Sequence, residues 1–128
     1  MKYHISVIKS SKYCYIFATD DNEEQIGKIC INLNSEDVNR YEKIYNGKFA
    51  KIILVSTIER AVGQGVATSM MNKVIEVLND YNLYLNVIPL KRNDKDMDKK
   101  ELISFYSKFG FTKYDKDICT TTMIKLAS

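Results

Sequence analysis

The sequence predicts an α/β fold with a mixed, mostly antiparallel sheet and two main helices. Three features predict it: β-patterned segments fill the first third of the chain, a fourth apolar segment follows them, and helical and strand-like segments then alternate. At 128 residues, with 45% hydrophobic and 27% charged residues, the chain is expected to form a single domain over residues 1–128.

The first three strands are predicted from apolar and β-branched patterning. "KYHISVIK" (2–9) alternates apolar and more polar residues, "KYCYIFAT" (12–19) is aromatic and β-branched, and "QIGKICINL" (25–33) alternates again. The polar stretch "TDDNEE" (19–24) suits a hairpin connection. We therefore predict three antiparallel strands joined by short turns.

The middle of the chain holds a less regular segment and a strongly β-like one. Residues 34–48 offer a capping residue at one end and an Asn-Gly pair at the other, and they are predicted to form a short helical turn. Residues 48–59 contain four consecutive aliphatic residues, from Ile52 to Val55. Such a run indicates a central strand that is covered on both faces.

The first main helix is predicted over residues 66–80, because apolar residues recur there at three- and four-residue steps. A strand over residues 84–89 follows it, and Pro89 would end the ladder or place the strand at an edge. The predicted apolar face of this helix consists of Ala67, Met70, Met71, Val74, Leu78 and Tyr81.

The second main helix is predicted to begin near Asp98, which has the capping-box spacing with Glu101. Gly110 stands where a left-handed helix C-terminus is expected, and residues 119–126 are predicted to form the closing strand. The apolar stripe of this helix consists of Leu102, Phe105, Tyr106 and Phe109.

Composition argues against several classes of partner. The net charge of +3 comes with scattered lysines, which does not favour a nucleic-acid surface. Cys14, Cys30 and Cys119 have no metal-binding spacing, so free thiols and no metal site are expected. No apolar run approaches the roughly 20 residues of a membrane span, and no signal peptide is evident. We expect a cytoplasmic monomer or homodimer with no membrane or nucleic-acid partner.

Two of the five glycines, Gly63 and Gly65, stand in "AVGQGVATSMM", directly before the first predicted helix. The first N–H groups of a helix lack intrahelical partners and carry partial positive charge, so an approach free of Cβ atoms suits a phosphate. The spacing matches neither a P-loop nor a dinucleotide-binding fingerprint. On these residues alone, the loop is either a phosphate cradle or a plain turn between a strand and a helix.

Together with a downstream segment, this loop resembles the GCN5-related N-acetyltransferase (GNAT) family. "VSTIERAVGQGVATSMM" (55–71) is similar to the family's acetyl-CoA motif, [Q/R]-x-x-G-x-[G/A] after a strand, and "ELISFYSKFGF" (101–111) is similar to its tyrosine-bearing helix. The resemblance covers about residues 49–126. It implies a GNAT-like fold with splayed central parallel strands, acetyl-CoA as co-substrate and a primary amine as the acceptor that attacks the thioester directly.

Two registers fit the first motif. The register that begins at Arg60 satisfies the pattern literally and keeps the arginine. The register that begins at Val62 loses the arginine but places apolar residues where the helix must face the core. We prefer the second register, and in both of them Gly63 to Ala67 lie in the pyrophosphate loop.

The resemblance also assigns roles to residues. Tyr106 corresponds to the tyrosine that protonates the departing thiolate, and an unperturbed pKa near 10 would suit that leaving group. The pantetheine arm would pair with the end of the strand at 52–57, in the gap beside the strand at 84–88. The expected cofactor-binding residues are Val55, Ser56, Thr57, Gly63, Gln64, Gly65, Val66, Ala67 and Thr68.

The general base and the acceptor site stay open. Glu59, Asp94 and Asp96 are candidate bases, and water-mediated deprotonation is an alternative. The family often has Asn where this chain has Lys99, and it usually has one or two helices where only "KSSK" separates the first two strands. Residues 34–48 are therefore expected to wall the acceptor site, with side chains from Tyr41, Tyr45, Glu36 and Glu42.

Two alternatives to an N-acetyltransferase follow from these departures. One is a catalytically degenerate member that binds CoA as a sensor or protein-interaction module. The other is a small α/β interaction domain without a cofactor, in which the glycine loop is only a turn.

Overall fold

A computed structural model describes residues 1–33, 47–89, 96–114 and 121–127, which form a seven-stranded sheet and two helices. The strands are β1 (Tyr3–Lys9), β2 (Tyr13–Asp20), β3 (Gln25–Asn32), β4 (Lys48–Thr57), β5 (Tyr81–Asn86), β6 (Thr112–Lys113) and β7 (Thr122–Lys125). The helices are α1 (Val66–Val77) and α2 (Lys99–Ser107), and a short 3-10 turn (Glu59–Ala61) precedes α1. Among the described residues, no helix is long and apolar enough to cross a membrane.

The sheet is mixed and mostly antiparallel, in the order β1-β2-β3-β4-β5-β7-β6. Only the central pair β4–β5 is parallel, because the chain returns through α1 between those two strands. All the other neighbouring pairs are antiparallel. The predicted fold class is therefore confirmed, including the three antiparallel strands at the start.

Several element boundaries differ from the predicted ones. Helix α1 ends at Val77 and β5 already begins at Tyr81, so Tyr81 belongs to a strand and not to the helical face. Strand β5 ends at Asn86, which leaves Pro89 outside the ladder. Strand β6 was not predicted, since it has only two residues. The predicted turn falls almost entirely on residues 34–46, and the start of the predicted closing strand falls on 115–120; both stretches lie outside the described residues.

The prediction that β4 is covered on both faces is wrong for its central part. Ile53 and Leu54 are 51% and 40% exposed. The parallel ladder with β5 stops at Ile52, and the antiparallel ladder with β3 has an irregularity that leaves Ile53 without a register partner. Beyond this point β4 has lost one neighbouring strand, and its apolar side chains face a cleft.

Helix α1 buries most of the predicted face against the sheet, together with Val66, whereas Ala67 of the predicted face is only half-buried. Val66, Met70, Met71 and Val74 are each at most 1% exposed, and Leu78 just after the helix is equally buried. The approach is close at Gly27 in β3, where an added Cβ would lie 2.7 Å from Met70 Cε and 3.1 Å from Val66 Cγ1. A Cβ at this position would therefore force Met70 or Val66 to shift.

We expect Gly27→Ala to lower the free energy of unfolding by about 1–2 kcal/mol, the usual cost of overpacking a dense core. The end of the Met70 side chain can move, whereas Val66 is fixed by its branched Cβ. Chemical denaturation measures the change. The double variant Gly27→Ala/Met70→Leu should recover part of the loss, and a Gly27→Ala protein as stable as the wild type would contradict this packing.

Helix α2 begins as the sequence predicts. The Asp98 side chain accepts a hydrogen bond from the Glu101 N–H at 2.8 Å, and the Glu101 carboxylate accepts one from the Asp98 N–H at 3.2 Å. This reciprocal pair is a capping box. Gly110, with φ of 94°, ends the turn after α2 in the left-handed region. Both ends of α2 are thus fixed locally, which sets the orientation of Tyr106.

Candidate active site

A cleft opens where the two central parallel strands part. Strands β4 and β5 pair from Lys48 to Ile52, and β4 then continues to Thr57 along β3 alone. The cleft has a volume of about 600 Å³. It is bordered by β4, the loop before α1, the first turn of α1, the end of β5 and one side of α2. The gap therefore joins the glycine loop to the tyrosine-bearing helix.

The glycine loop has an open, left-handed backbone at the start of α1. Gly63 and Gly65 have φ of 84° and 79°, and a Cβ at either position would meet no atom within 4 Å. Gly65 is the N-cap residue, so no side chain caps α1, and the first turn holds no acidic residue. The partial positive charge at this helix N-terminus is thus not offset locally, which favours an anion.

The cleft brings together most of the residues predicted to form the site. Tyr106 lines it, as does Val62, the first residue of the preferred register. Gln64 is exposed and is not among the lining residues. The other predicted cofactor-binding residues all line the cleft: Val55, Ser56, Thr57, Gly63, Gly65, Val66, Ala67 and Thr68.

Arg60, the first residue of the alternative register, is turned away from the cleft. Its Nη2 lies 2.7 Å from Asp20 Oδ2 and 2.6 Å from Glu24 Oε2. Hydrogen bonding to Arg60 lowers the pKa of Asp20, and the same pairing raises the pKa of the Arg60 guanidinium. The arginine is therefore engaged by the β2–β3 turn, a geometry that favours the register beginning at Val62.

Tyr106 lies on the side of α2 that faces the cleft and is only 8% exposed. Its ring makes edge contacts with Phe105 and Phe111, at centroid distances of 5.3 and 6.0 Å. Burial raises the pKa of Tyr106 to about 12. The unperturbed value assumed from the sequence is thus wrong, because an apolar surrounding disfavours the phenolate. At neutral pH the group is a hydrogen-bond donor.

This burial predicts a loss of stability at alkaline pH. The folded protein holds the Tyr106 proton more tightly than the unfolded chain, whose tyrosine has a pKa near 10. The stability that this difference provides is complete below pH 10 and is lost as the pH rises towards 12. The loss should reach about 2–3 kcal/mol at most, since one pKa unit corresponds to about 1.4 kcal/mol. Urea unfolding of the wild type and of Tyr106→Phe, at pH 9 and 11.5, isolates the contribution. The variant should show the shallower decline, and parallel profiles would contradict the assignment.

The candidate bases are only partly brought to the cleft. Asp96 lines it, Glu59 is exposed in the 3-10 turn and is not among the lining residues, and Asp94 lies outside the described residues. Lys99 is exposed on the first turn of α2 and does not line the cleft either. The predicted acceptor-site residues Tyr41, Tyr45, Glu36 and Glu42 also lie outside the described residues.

Asn86, the last residue of β5, lines the cleft and was missed by the sequence analysis. Its Oδ1 accepts a hydrogen bond from Thr122 Oγ1 at 2.9 Å, and Thr122 is 1% exposed. A polar residue inside the otherwise apolar predicted strand at 84–89 is a signal that could have identified it. Within residues 1–33, 47–89, 96–114 and 121–127, no cluster of three His, Cys, Asp or Glu side chains could hold a metal ion.

The fold is that of the acetyltransferase (GNAT) family. The sequence model of the Acetyltransferase (GNAT) family matches residues 2–111, and the chain belongs to this family. No curated protein sequence matches the chain significantly.

Solved structures share the fold at low sequence identity. The protein PH1933 from Pyrococcus horikoshii is 19% identical, with a TM-score of 0.66 over 89% of this chain and 65% of that one. The PaiA N-acetyltransferase from Thermoplasma acidophilum, in complex with coenzyme A, is 15% identical, with a TM-score of 0.59 over 90% of this chain and 61% of that one. NAA60 from Arabidopsis thaliana, in complex with a bisubstrate analogue, is 14% identical, with a TM-score of 0.69 over 94% of this chain and 80% of that one. The chain thus spans less than two thirds of the length of the first two.

Proposed function

We propose that the protein transfers the acetyl group of acetyl-CoA to a primary amine. One observation carries the proposal: the cleft between the diverging strands connects the uncapped N-terminus of α1 with the side chain of Tyr106. The proposal draws further support from the family membership and from the coenzyme A complex of a structural neighbour.

The residues present fit acetyl-CoA. The N–H groups of Gly63 and of Gly65 to Thr68 would hold the pyrophosphate, because the glycines leave the approach open. The Gln64 N–H instead donates to the Ala61 carbonyl oxygen at 3.3 Å. The part of β4 from Val55 to Thr57 lies beyond its ladder with β5, so its backbone is suited to pair with the extended pantetheine arm. The exposed apolar surface of Ile53 and Leu54 would pack against that arm.

When bound, acetyl-CoA would supply an acetyl group activated as a thioester. The backbone of β4 would orient this group at the point where the strands part, and proximity to a neutral amine would provide much of the rate. Tyr106 would donate a hydrogen bond to the sulfur as negative charge develops there. With a pKa of about 12, Tyr106 is a weak acid, so this hydrogen bond would contribute more than a completed proton transfer.

The same raised pKa favours a second candidate function. A tyrosine that is a poor proton donor, with Lys99 on α2 where the family often has Asn, is consistent with a member that binds CoA without turning it over. Such a protein would act as a sensor or interaction module.

A thermal melt with and without acetyl-CoA, followed by turnover on a panel of amines, tests both candidates. Ligand that binds only the native state at about 100 times its Kd should stabilise the fold by about 2.7 kcal/mol. We expect a rise in Tm and release of free thiol with at least one amine. A rise without turnover would favour the sensor, and no rise at millimolar acetyl-CoA would overturn both.

A further inference from the structure

The glycine loop, residues 62–65, is held in place by two side chains that lie outside the cleft. Gly63 and Gly65 both have positive φ and open space around the Cβ position, so neither sequence nor packing at the glycines fixes the direction of their N–H groups. A loop with this freedom loses conformational entropy when it closes on a ligand unless other contacts have already ordered it.

The first of these side chains is Tyr3 of β1. Its hydroxyl lies 3.4 Å from the Gly65 carbonyl oxygen and 2.7 Å from Ser69 Oγ. A hydroxyl has one hydrogen, so when Tyr3 donates to the Gly65 carbonyl oxygen, the bond with Ser69 is one that Ser69 donates. The same carbonyl accepts the helical hydrogen bond of the Ser69 N–H at 3.0 Å. In a trans peptide, C=O and N–H point in opposite directions, so fixing this carbonyl aims the Val66 N–H out of the helix N-terminus.

The second is Arg60, which leads into the loop from the other end. Its guanidinium bridges Asp20 and Glu24 of the β2–β3 turn, and the Asp20 carboxylate also accepts hydrogen bonds from the N–H groups of Asn22 and Glu24, at 2.9 and 3.0 Å. The Asp20 carboxylate that contacts Arg60 is thus held in place by hydrogen bonds within the turn. The Arg60 and Glu24 side chains are 46% and 58% exposed, whereas the Asp20 side chain is 7% exposed. The pair with Glu24 contributes little to global stability, but loss of the pair with Asp20 would leave a nearly buried carboxylate without its cation.

We propose that Tyr3 and Arg60 are positioning residues that pre-organise the glycine loop for the pyrophosphate of CoA. The inference rests on the proposed function but concerns residues that do not line the cleft. Without either contact, the loop adopts more conformations in the free protein. Ligand binding must then order the loop, and the lost conformational entropy weakens the affinity. Only ligands that carry the pyrophosphate should be affected.

The test compares the Kd of CoA, measured by calorimetry, with that of pantetheine, which lacks the pyrophosphate and is titrated by NMR. We expect Tyr3→Phe and Arg60→Gln each to raise the Kd of CoA about five- to twentyfold, the scale of one lost ordering contact. The Kd of pantetheine should change less than about twofold, and Arg60→Lys should recover part of the loss because it restores the positive charge between Asp20 and Glu24. Lys48→Gln is the matched control, since it breaks an exposed ion pair with Asp80 of 3.0 Å far from the loop.

The outcomes separate positioning from general structure. Equal weakening of CoA and pantetheine, or an unchanged Kd for CoA in both variants, would overturn the positioning roles and leave the proposed function standing. A Lys48→Gln protein that loses as much CoA affinity would overturn them as well. A wild-type protein that binds neither ligand would overturn the proposed function together with this inference.

Discussion

Gly65→Glu should abolish CoA binding, with a Kd at least about a hundredfold above that of the wild type. Gly65 is the N-cap residue of α1 and lines the cleft, so a carboxylate there competes for the N–H groups proposed to hold the pyrophosphate. Two unit charges about 4 Å apart repel by roughly 4 kcal/mol near a protein surface, and about 2.7 kcal/mol already amounts to a hundredfold.

Gly65→Gln is the matched control. Both side chains force a non-glycine residue to adopt φ of 79°, which costs roughly 1–2 kcal/mol of stability in either variant. The Cβ that both variants add has no atom within 4 Å, and the two side chains have nearly the same shape. The two variants therefore differ in charge alone.

Calorimetric titration of both variants with CoA, at low and at high salt, measures the effect of that charge. We expect Gly65→Gln to lose part of the affinity, because its side chain narrows the approach to the N–H groups, and Gly65→Glu to lose much more. The difference in affinity between the two variants should narrow as salt screens the repulsion. Equal affinities of the Glu and Gln variants would show that the pyrophosphate lies elsewhere.

Features governed by neighbouring residues could be predicted from the sequence. The burial of Met70, Met71 and Val74 follows from helical spacing, and the capping box of Asp98 with Glu101 follows from a four-residue pattern. The position of Gly65 at the start of α1 follows from where the apolar periodicity begins. In each case the determining contacts lie within about one or two helical turns, so the local sequence carries the information.

Features that depend on distant contacts could not be predicted from the residues alone. The point at which β4 leaves β5 depends on where the parallel ladder ends and on the irregular register opposite Ile53. The ion pairs of Arg60 join residues 36 and 40 positions apart, and no local pattern points to them. The raised pKa of Tyr106 likewise reflects its burial among rings of α2 and the segment after it.

Tyr106→Phe should lower kcat about a hundredfold while leaving the Kd of CoA within about twofold. General acid groups contribute about 10²- to 10⁴-fold, and a hydroxyl with a pKa of about 12 belongs at the low end of that range. The substitution removes one oxygen and keeps the edge contacts of the ring with Phe105 and Phe111. The ground-state complex should therefore form as before. Steady-state turnover with the best amine of the panel, combined with calorimetry, measures both quantities.

Tyr81→Phe is the matched control, because it removes a hydroxyl from a half-buried tyrosine at the start of β5 that does not line the cleft. It should leave kcat and Kd unchanged. If Tyr106→Phe turns over at the wild-type rate, the leaving sulfur obtains its proton from another group or from water, and Tyr106 only packs. If Tyr106→Phe instead raises the Kd of CoA with kcat unchanged, the hydroxyl contributes equally to substrate and transition state. Only a fall in kcat at constant Kd identifies a hydrogen bond that strengthens as charge develops on the sulfur, because binding energy that is uniform along the reaction does not change kcat.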